Sequence, residues 1–233
     1  MAKRRYTYDY PKADNTVDAV VFGVDSDIQD LRVLCIKRAK KPFEGMYALP
    51  GGFIHLNESL ETAVRRELKE ETGITPAYLE QLYTFGTPKR DPRGRVISVA
   101  YLALVTMRDH RPTAASDALA VAWLHAGKLP KLAFDHDEVV DMALRRLKSK
   151  VRYTPVGFDL LPKEFALSEV HRLYEIVTGR SLDLSNFRKR MLATGVVVPT
   201  GETRATKRAP AGLYRVDEEA YAEALKNGFN FEI

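Results

Sequence analysis

The sequence predicts an α/β chain in two domains: a mixed sheet between helices over residues 1–150, and a smaller helix-and-hairpin domain over residues 151–233. Three observations predict this. Residues 16–148 read as strand, strand, helix, strands, helix, an order that suits a mixed sheet covered by helices. After Lys150 the character changes, and Val151 to Pro162 (VRYTPVGFDLLP) holds two prolines and reads as an extended connector. Beyond it, two short helical patterns precede two strand-like runs.

The 233 residues are 45% apolar, ordinary for a soluble globular chain. No apolar run approaches the roughly 20 residues of a membrane span. The basic start, Met1-Ala-Lys-Arg-Arg, has no apolar segment behind it, so no signal peptide is read there. The single cysteine, Cys35, lies in an apolar run and reads as a core thiol. Together these predict a cytoplasmic chain with no membrane partner. A net charge of +5 is modest; its distribution says more.

Residues 1–15 are polar and tyrosine-rich, an arm that could pack on a dimer partner or lie on the surface. Thr16 to Val24 is β-branched and apolar, a central strand; Asp25 to Asp30 is a turn; Leu31 to Arg38 is the next strand. Lys40 to Gly45 is a loop, and Met46 to Pro50 leads into the helical region. Tyr78 to Phe85 and Arg95 to Val105 are further strands. The loop between them, Gly86 to Gly94, is either a plain hairpin turn or a cationic loop facing phosphate or ribose through Arg90 and Arg93. Trp123, in Ala120 to His125, reads as core. Asp135 to Lys148 is a helix with Val139, Met142, Ala143 and Leu147 at helical spacing and Asp135 as its cap.

The most informative stretch is Gly52 to Ile74 (GFIHLNESLETAVRRELKEETGI). Asn57 or Ser59 can cap a helix, because either side chain can accept an orphan backbone N–H. Leu60, Val64 and Leu68 form a buried stripe, and Gly73 stops the helix, since glycine enters the left-handed conformation without strain. Glu67, Glu70 and Glu71 share another face, where like charges cost roughly 0.2–0.5 kcal/mol per pair. By itself such a cluster is either a solvated acidic face or a cation site; hard carboxylate oxygens select Mg²⁺, Mn²⁺ or Ca²⁺.

The full pattern, Gly52, Glu58, Arg66-Glu67-Leu68, Glu70-Glu71 and Gly73-Ile74, resembles the Nudix box at every fixed position. The resemblance implies an α/β/α sandwich that holds Mg²⁺ or Mn²⁺ on Glu67, Glu70 and Glu71. It implies that Arg66 orients these carboxylates, with Arg66, Glu70 and Glu71 serving catalysis. Arg38, Gly51, Gly52, Glu58, Arg90 and Arg93 are the positions expected to face a bound diphosphate compound. His55 is either a loop residue or part of the site.

In the second domain, Leu167, Val170, Tyr174 and Val177 form a helical stripe that Ser168 or a neighbour can cap and Gly179 ends. Leu182 to Leu192 is a second helix, with Phe187 and Met191 inward and Arg188, Lys189 and Arg190 on its polar side. Val196 to Thr200 and Gly212 to Val216 are strands around a basic loop. Helix, turn, basic helix and hairpin is the layout of a winged helix-turn-helix. From Arg180 to Arg208 seven basic residues face two acids, a local charge of +5. Such a surface releases counterions from nucleic-acid phosphates. Ser185, Asn186, Arg188, Lys189 and Arg190 on the helix, and Thr203, Arg204, Lys207 and Arg208 on the hairpin, are the predicted DNA contacts. The competing reading is a basic surface on a dimerising or substrate-capping subdomain.

The box, Ala133-Phe134-Asp135-His136, the connector and Ser185-Asn186-Phe187-Arg188 together resemble the Nudix-related transcriptional regulators of NAD metabolism. That resemblance implies a homodimer that binds double-stranded operator DNA and responds to ADP-ribose or a related NAD-derived nucleotide. Such regulators commonly carry an eroded box, whereas this one is intact, which leaves a Mg²⁺-dependent ADP-ribose pyrophosphatase as the alternative. Against turnover, no glutamate lies between Glu80 and Glu138, where ADP-ribose hydrolases often place a general base. Asp109 and Asp117 are the nearby substitutes, with shorter reach.

Overall fold

Val17, Ala19 and Val21 face one side of a central strand while Val20, Phe22 and Val24 face the other, and all six are buried. Alternation puts successive side chains on opposite faces, so a strand apolar on both needs a cover on each side. The computed structural model describes residues 8–24, 30–107, 118–153, 156–205, 209–227 and 231. The central strand is β1 (Asp14–Val24), parallel to β6 (Val96–Thr106) along its whole length. Its other edge is divided between β4 (Gly51–Phe53) and β2 (Leu31–Arg38). β3 (Tyr47–Ala48) and β7 (Ala118–His125) pair with β2, and β5 (Tyr78–Phe85) with β6, completing a seven-stranded mixed sheet.

α1 (Leu60–Thr72) covers one face with Ala63, Val64 and Leu68. Ser59 caps it, accepting the Thr62 N–H at 3.1 Å, and Gly73 closes it at φ 73°. α2 (His136–Tyr153) covers the other face with Val139, Val140, Ala143 and Leu147. Asp135 does not cap α2 with its side chain as expected, because its carboxylate is turned onto Arg90.

The expected extended connector is also corrected. α2 continues to Tyr153, and a 3₁₀ turn follows at Val156–Leu160. Phe158, Leu160 and Leu161 are buried, and the Thr106 hydroxyl donates to the Leu161 carbonyl at 2.9 Å. Burial of three large apolar side chains outweighs the loop character that two prolines suggest.

The second half holds β8 (Phe165–Ala166), α3 (Leu167–Thr178), α4 (Leu184–Ala193), β9 (Val197–Arg204), β10 (Ala211–Val216) and α5 (Glu218–Asn227). Its strands pair in the order β8-β10-β9. Glu169, not Ser168, ties down the start of α3 by accepting the Ala166 N–H at 2.6 Å. Phe187 and Met191 of α4 are fully buried against the α3 side chains, with Phe187 edge-on to Tyr174 at 5.3 Å. One continuous apolar core runs from β1 through α2 into α3 and α4. Among the described residues no helix is long and apolar enough to cross a membrane.

Candidate functional site

A cavity of about 380 Å³ opens where β4, the start of α2 and the 86–94 loop meet α1. Gly52 makes it possible: a Cβ there would collide with the Glu67 carboxylate, so only glycine lets Glu67 lie over the loop. Glu67 and Glu71 line the cavity, as do Arg38, Gly51, Gly52, His55, Arg90 and Arg93. Glu71 Oε2 accepts the Gly51 N–H at 2.9 Å. Burial pushes Glu71 up to about 8, and the Glu67 and Asp18 charges add to the rise.

Glu70 and Glu58 are not among the lining residues. Arg66 gathers them instead. Its Nη1 donates to Glu67 at 2.7 Å and to Glu70 at 3.2 Å, while Nε and Nη2 donate to Glu58 at 3.0 and 2.8 Å. The Arg66 hydrogen bonds hold Glu58 down at about 2, with the His55 N–H adding to the effect. Glu58 therefore reaches the cavity through the His55 N–H, which it accepts at 2.7 Å, and through Arg66, and Glu70, with 61% of its side chain exposed, faces outward.

Arg90 differs from the expected phosphate-facing cation. Only 4% of its side chain is exposed, and it donates to both Asp135 oxygens at 2.8 and 2.6 Å and to Asp18 at 3.5 Å. Arg93 keeps 43% of its side chain exposed, but its Nε and Nη2 donate to Asp91, at 2.6 Å from Nη2. Both arginines line the cavity, each with its counter-charge already in place.

Sequence reasoning missed the polar floor beneath them. Asp18 is buried and takes hydrogen bonds from Ser98 and Arg90. His136 accepts the Leu49 N–H on Nδ1 at 2.9 Å and turns Nε2 toward Asp18 at 3.6 Å. Burial lowers His136, so the ring is neutral and its proton lies on the Asp18 side. A lone aspartate inside an apolar strand was the only sequence signal.

The donor set suits a hard divalent cation: Glu67 and Glu71 face inward, and their mutual repulsion is what a cation would offset. No three-carboxylate cage is already gathered among the described residues, and Glu70 stands beside Glu67 on Arg66 rather than in the cavity lining.

The second site is the exposed side of α4. Asp183 accepts the Asn186 N–H at 2.7 Å and fixes the start of the helix. With Phe187 and Met191 buried, Ser185, Asn186, Arg188, Lys189 and Arg190 all face solvent, and Thr203 on β9 is exposed too. Arg204 is different: it donates to Glu169 at 3.0 and 3.1 Å and to the Glu164 carbonyl at 3.0 Å, fastening the hairpin to α3. It is a structural clasp before it is a DNA contact. Lys207, Arg208, Asp109 and Asp117 lie outside the described residues.

Comparison with known proteins matches both halves. The NUDIX domain covers residues 13–143, and the NrtR DNA-binding winged helix domain covers residues 157–216. The ADPR responsive transcriptional repressor NtrR of Acinetobacter baylyi is 37% identical, over 91% of this chain and 86% of its own. Shewanella oneidensis NrtR, crystallised with a 27mer DNA, is similar with a TM-score of 0.78 at 36% identity, covering 89% of this chain and 95% of that one. The NUDIX domain of that protein, crystallised with ADP ribose, gives a TM-score of 0.55 at 38% identity, over 60% of this chain and 94% of that one. A cavity lined by the α1 carboxylates on a mixed sheet, a basic helix beside a hairpin, and a relative matched over most of its length agree: the chain belongs to the NrtR family, a Nudix domain joined to a DNA-binding winged helix.

Proposed function

We propose that this protein is a transcriptional repressor of NAD-related genes that binds double-stranded operator DNA as a homodimer and takes ADP-ribose or a related NAD-derived nucleotide as effector. The observation that carries the reading is the pairing of two charged sites, a mixed-charge cavity and a basic helix face, on the two halves of one apolar core. A cavity that sets Glu67 and Glu71 among arginines and lysines sits at the start of α2, and a helix bearing Arg188, Lys189 and Arg190 lies on the solvent side of the other half. Lines of basic side chains bind phosphates by counterion release. A cavity with carboxylates on one side and arginines on another suits a diphosphate held through a cation.

Glu67, Glu71 and Glu70, the last held beside Glu67 by Arg66, would hold Mg²⁺ or Mn²⁺, and the ion would neutralise the diphosphate and acidify a bound water. Anisotropy of a labelled duplex enriched from a random pool tests the proposal. Saturating ADP-ribose is expected to weaken binding at least fivefold, the lower end of ordinary allosteric coupling. Unchanged affinity refutes the effector role.

The intact carboxylates of α1 favour a second activity, slow hydrolysis of the same nucleotide. Mg²⁺-dependent turnover of ADP-ribose above that of Glu70→Gln supports it, and equal rates dispose of it.

A further inference from the structure

A second cavity, of about 220 Å³, opens where the end of α2 meets the end of α3. Its floor is apolar: Tyr174 and Phe231 are buried and pack edge to face at 5.3 Å. Three cations stand around this floor, Lys148 and Arg152 from α2 and Arg180 from the residues after α3, with Ser149 beside them. All four are exposed, and no carboxylate is among the described residues that line the cavity.

Other cations of this region carry counter-charges. Arg146 and Lys150, on either side of Lys148, both hold Glu80, at 2.7 and 2.6 Å, and Arg172 on α3 reaches Glu175 at 3.5 Å. Among the described residues, Lys148, Arg152 and Arg180 have no carboxylate partner. Lys148 and Arg152 are four residues apart on one helix face, where like charges repel, and Arg180 brings a third positive charge to the same rim. Cations favour helix C-termini, which accounts for any one of the three taken singly. It does not account for their convergence on one hollow, where a bound anion would offset the repulsion.

We propose that Lys148, Arg152 and Arg180, with Ser149, form a second anion site, one that takes a phosphate group, that of a small monoester or free phosphate. Guanidinium forks match phosphate oxygens two at a time, a lysine adds a point charge, and a serine hydroxyl adds a neutral donor. A carboxylate, with one charge, would answer only one of the three cations. The apolar floor suits the carbon body of an ester. The volume lies below the roughly 300–1,000 Å³ of drug-sized pockets, which suits a monophosphate rather than a dinucleotide. A DNA backbone is the competing partner, but none of the exposed α4 residues lines this cavity. A phosphate held between Arg152 and Arg180 ties the end of α2 to the turn that leads into α4. The site stands independently of what the first cavity binds.

Calorimetry of ribose 5-phosphate and of inorganic phosphate against the full chain, with and without saturating ADP-ribose, tests it. Ribose 5-phosphate is expected to bind in both conditions. The double variant Arg152→Gln/Arg180→Gln is expected to weaken it at least tenfold, about what two lost charge-assisted hydrogen bonds cost, and to leave ADP-ribose within about twofold, as for a distant site. Both side chains are exposed, and an unchanged melting temperature without phosphate excludes a folding effect. Tighter binding of ribose 5-phosphate than of inorganic phosphate assigns the site to esters, and equal binding assigns it to free phosphate. The variant comparison decides whether or not ADP-ribose binds. Equal affinity in parent and variant, or displacement of ribose 5-phosphate by ADP-ribose, overturns the site and leaves the effector reading standing. No binding of either probe also overturns it, and a salt slope for DNA lower by about two in the variant then gives the cations to the duplex.

Discussion

Arg188 and Arg204 were alike in the sequence, basic residues in one charged stretch, and the structure separates them. Arg188 is exposed on α4, whereas Arg204 is fastened to Glu169. Arg188→Ala should therefore lower the magnitude of the slope of log affinity against log salt by about 0.9, one phosphate contact. Arg204→Ala should also cost stability, about 0.5–1 kcal/mol in urea unfolding, since a partly exposed ion pair with good geometry is worth that much. Arg66 follows the same logic inside the cavity. It holds three carboxylates, and Arg66→Ala releases Glu58, Glu67 and Glu70 from their common counter-charge. Removing a group that orients ligating side chains typically costs 10–100-fold, so calorimetric ADP-ribose affinity in Mg²⁺ should fall about tenfold or more. Unchanged affinity would show that the three glutamates need no such frame.

The 3₁₀ turn at Val156–Leu160 makes the junction between the halves sensitive to pH. Burial raises Asp159 to about 6 from 3.8, although the Tyr221 hydroxyl of α5 donates to it at 3.2 Å. A carboxyl with a raised folded-state value contributes stability that is complete below about pH 4 and lost as pH rises through about 6. Asp159→Asn removes that loss. The variant should exceed the parent at pH 8 by about 1–2 kcal/mol, discounted for partial exposure, and match it near pH 4 in urea unfolding; a variant weaker at pH 8 contradicts the assignment.

α1 was legible in the sequence because its cap, stripe and stop are all local: Ser59, Leu60 to Leu68, Gly73. α4 was legible for the same reason, from Phe187 and Met191 four residues apart. The junction was not. Two prolines outvoted Phe158, Leu160 and Leu161, whose burial depends on partners far along the chain. The Asp18–Ser98–Arg90–Asp135–His136 network was equally hidden, since Arg90 meets Asp18 across 72 residues and Leu49 meets His136 across 87. Local rules also failed for β8, whose two residues carry no pattern of their own.

The two halves share one hydrophobic core, and α2 links them physically. Its first residue, His136, lines the cavity floor, and its last turn reaches the second half, where the Arg152 carbonyl accepts the Phe231 N–H at 3.0 Å. A helix anchored at one end to the Arg90–Asp135 pair and at the other to the winged helix can carry a displacement from ligand to DNA surface, because a packed helix moves as a rigid body. Coupling between two sites is reciprocal, so DNA must alter ADP-ribose affinity by the same factor by which ADP-ribose alters DNA affinity. The decisive measurement is the calorimetric Kd of ADP-ribose for the free protein and for the protein saturated with operator duplex. The account predicts weaker binding to the DNA complex, by the same factor of about five or more found in the anisotropy titration. Identical Kd values for the free and DNA-bound protein would contradict it.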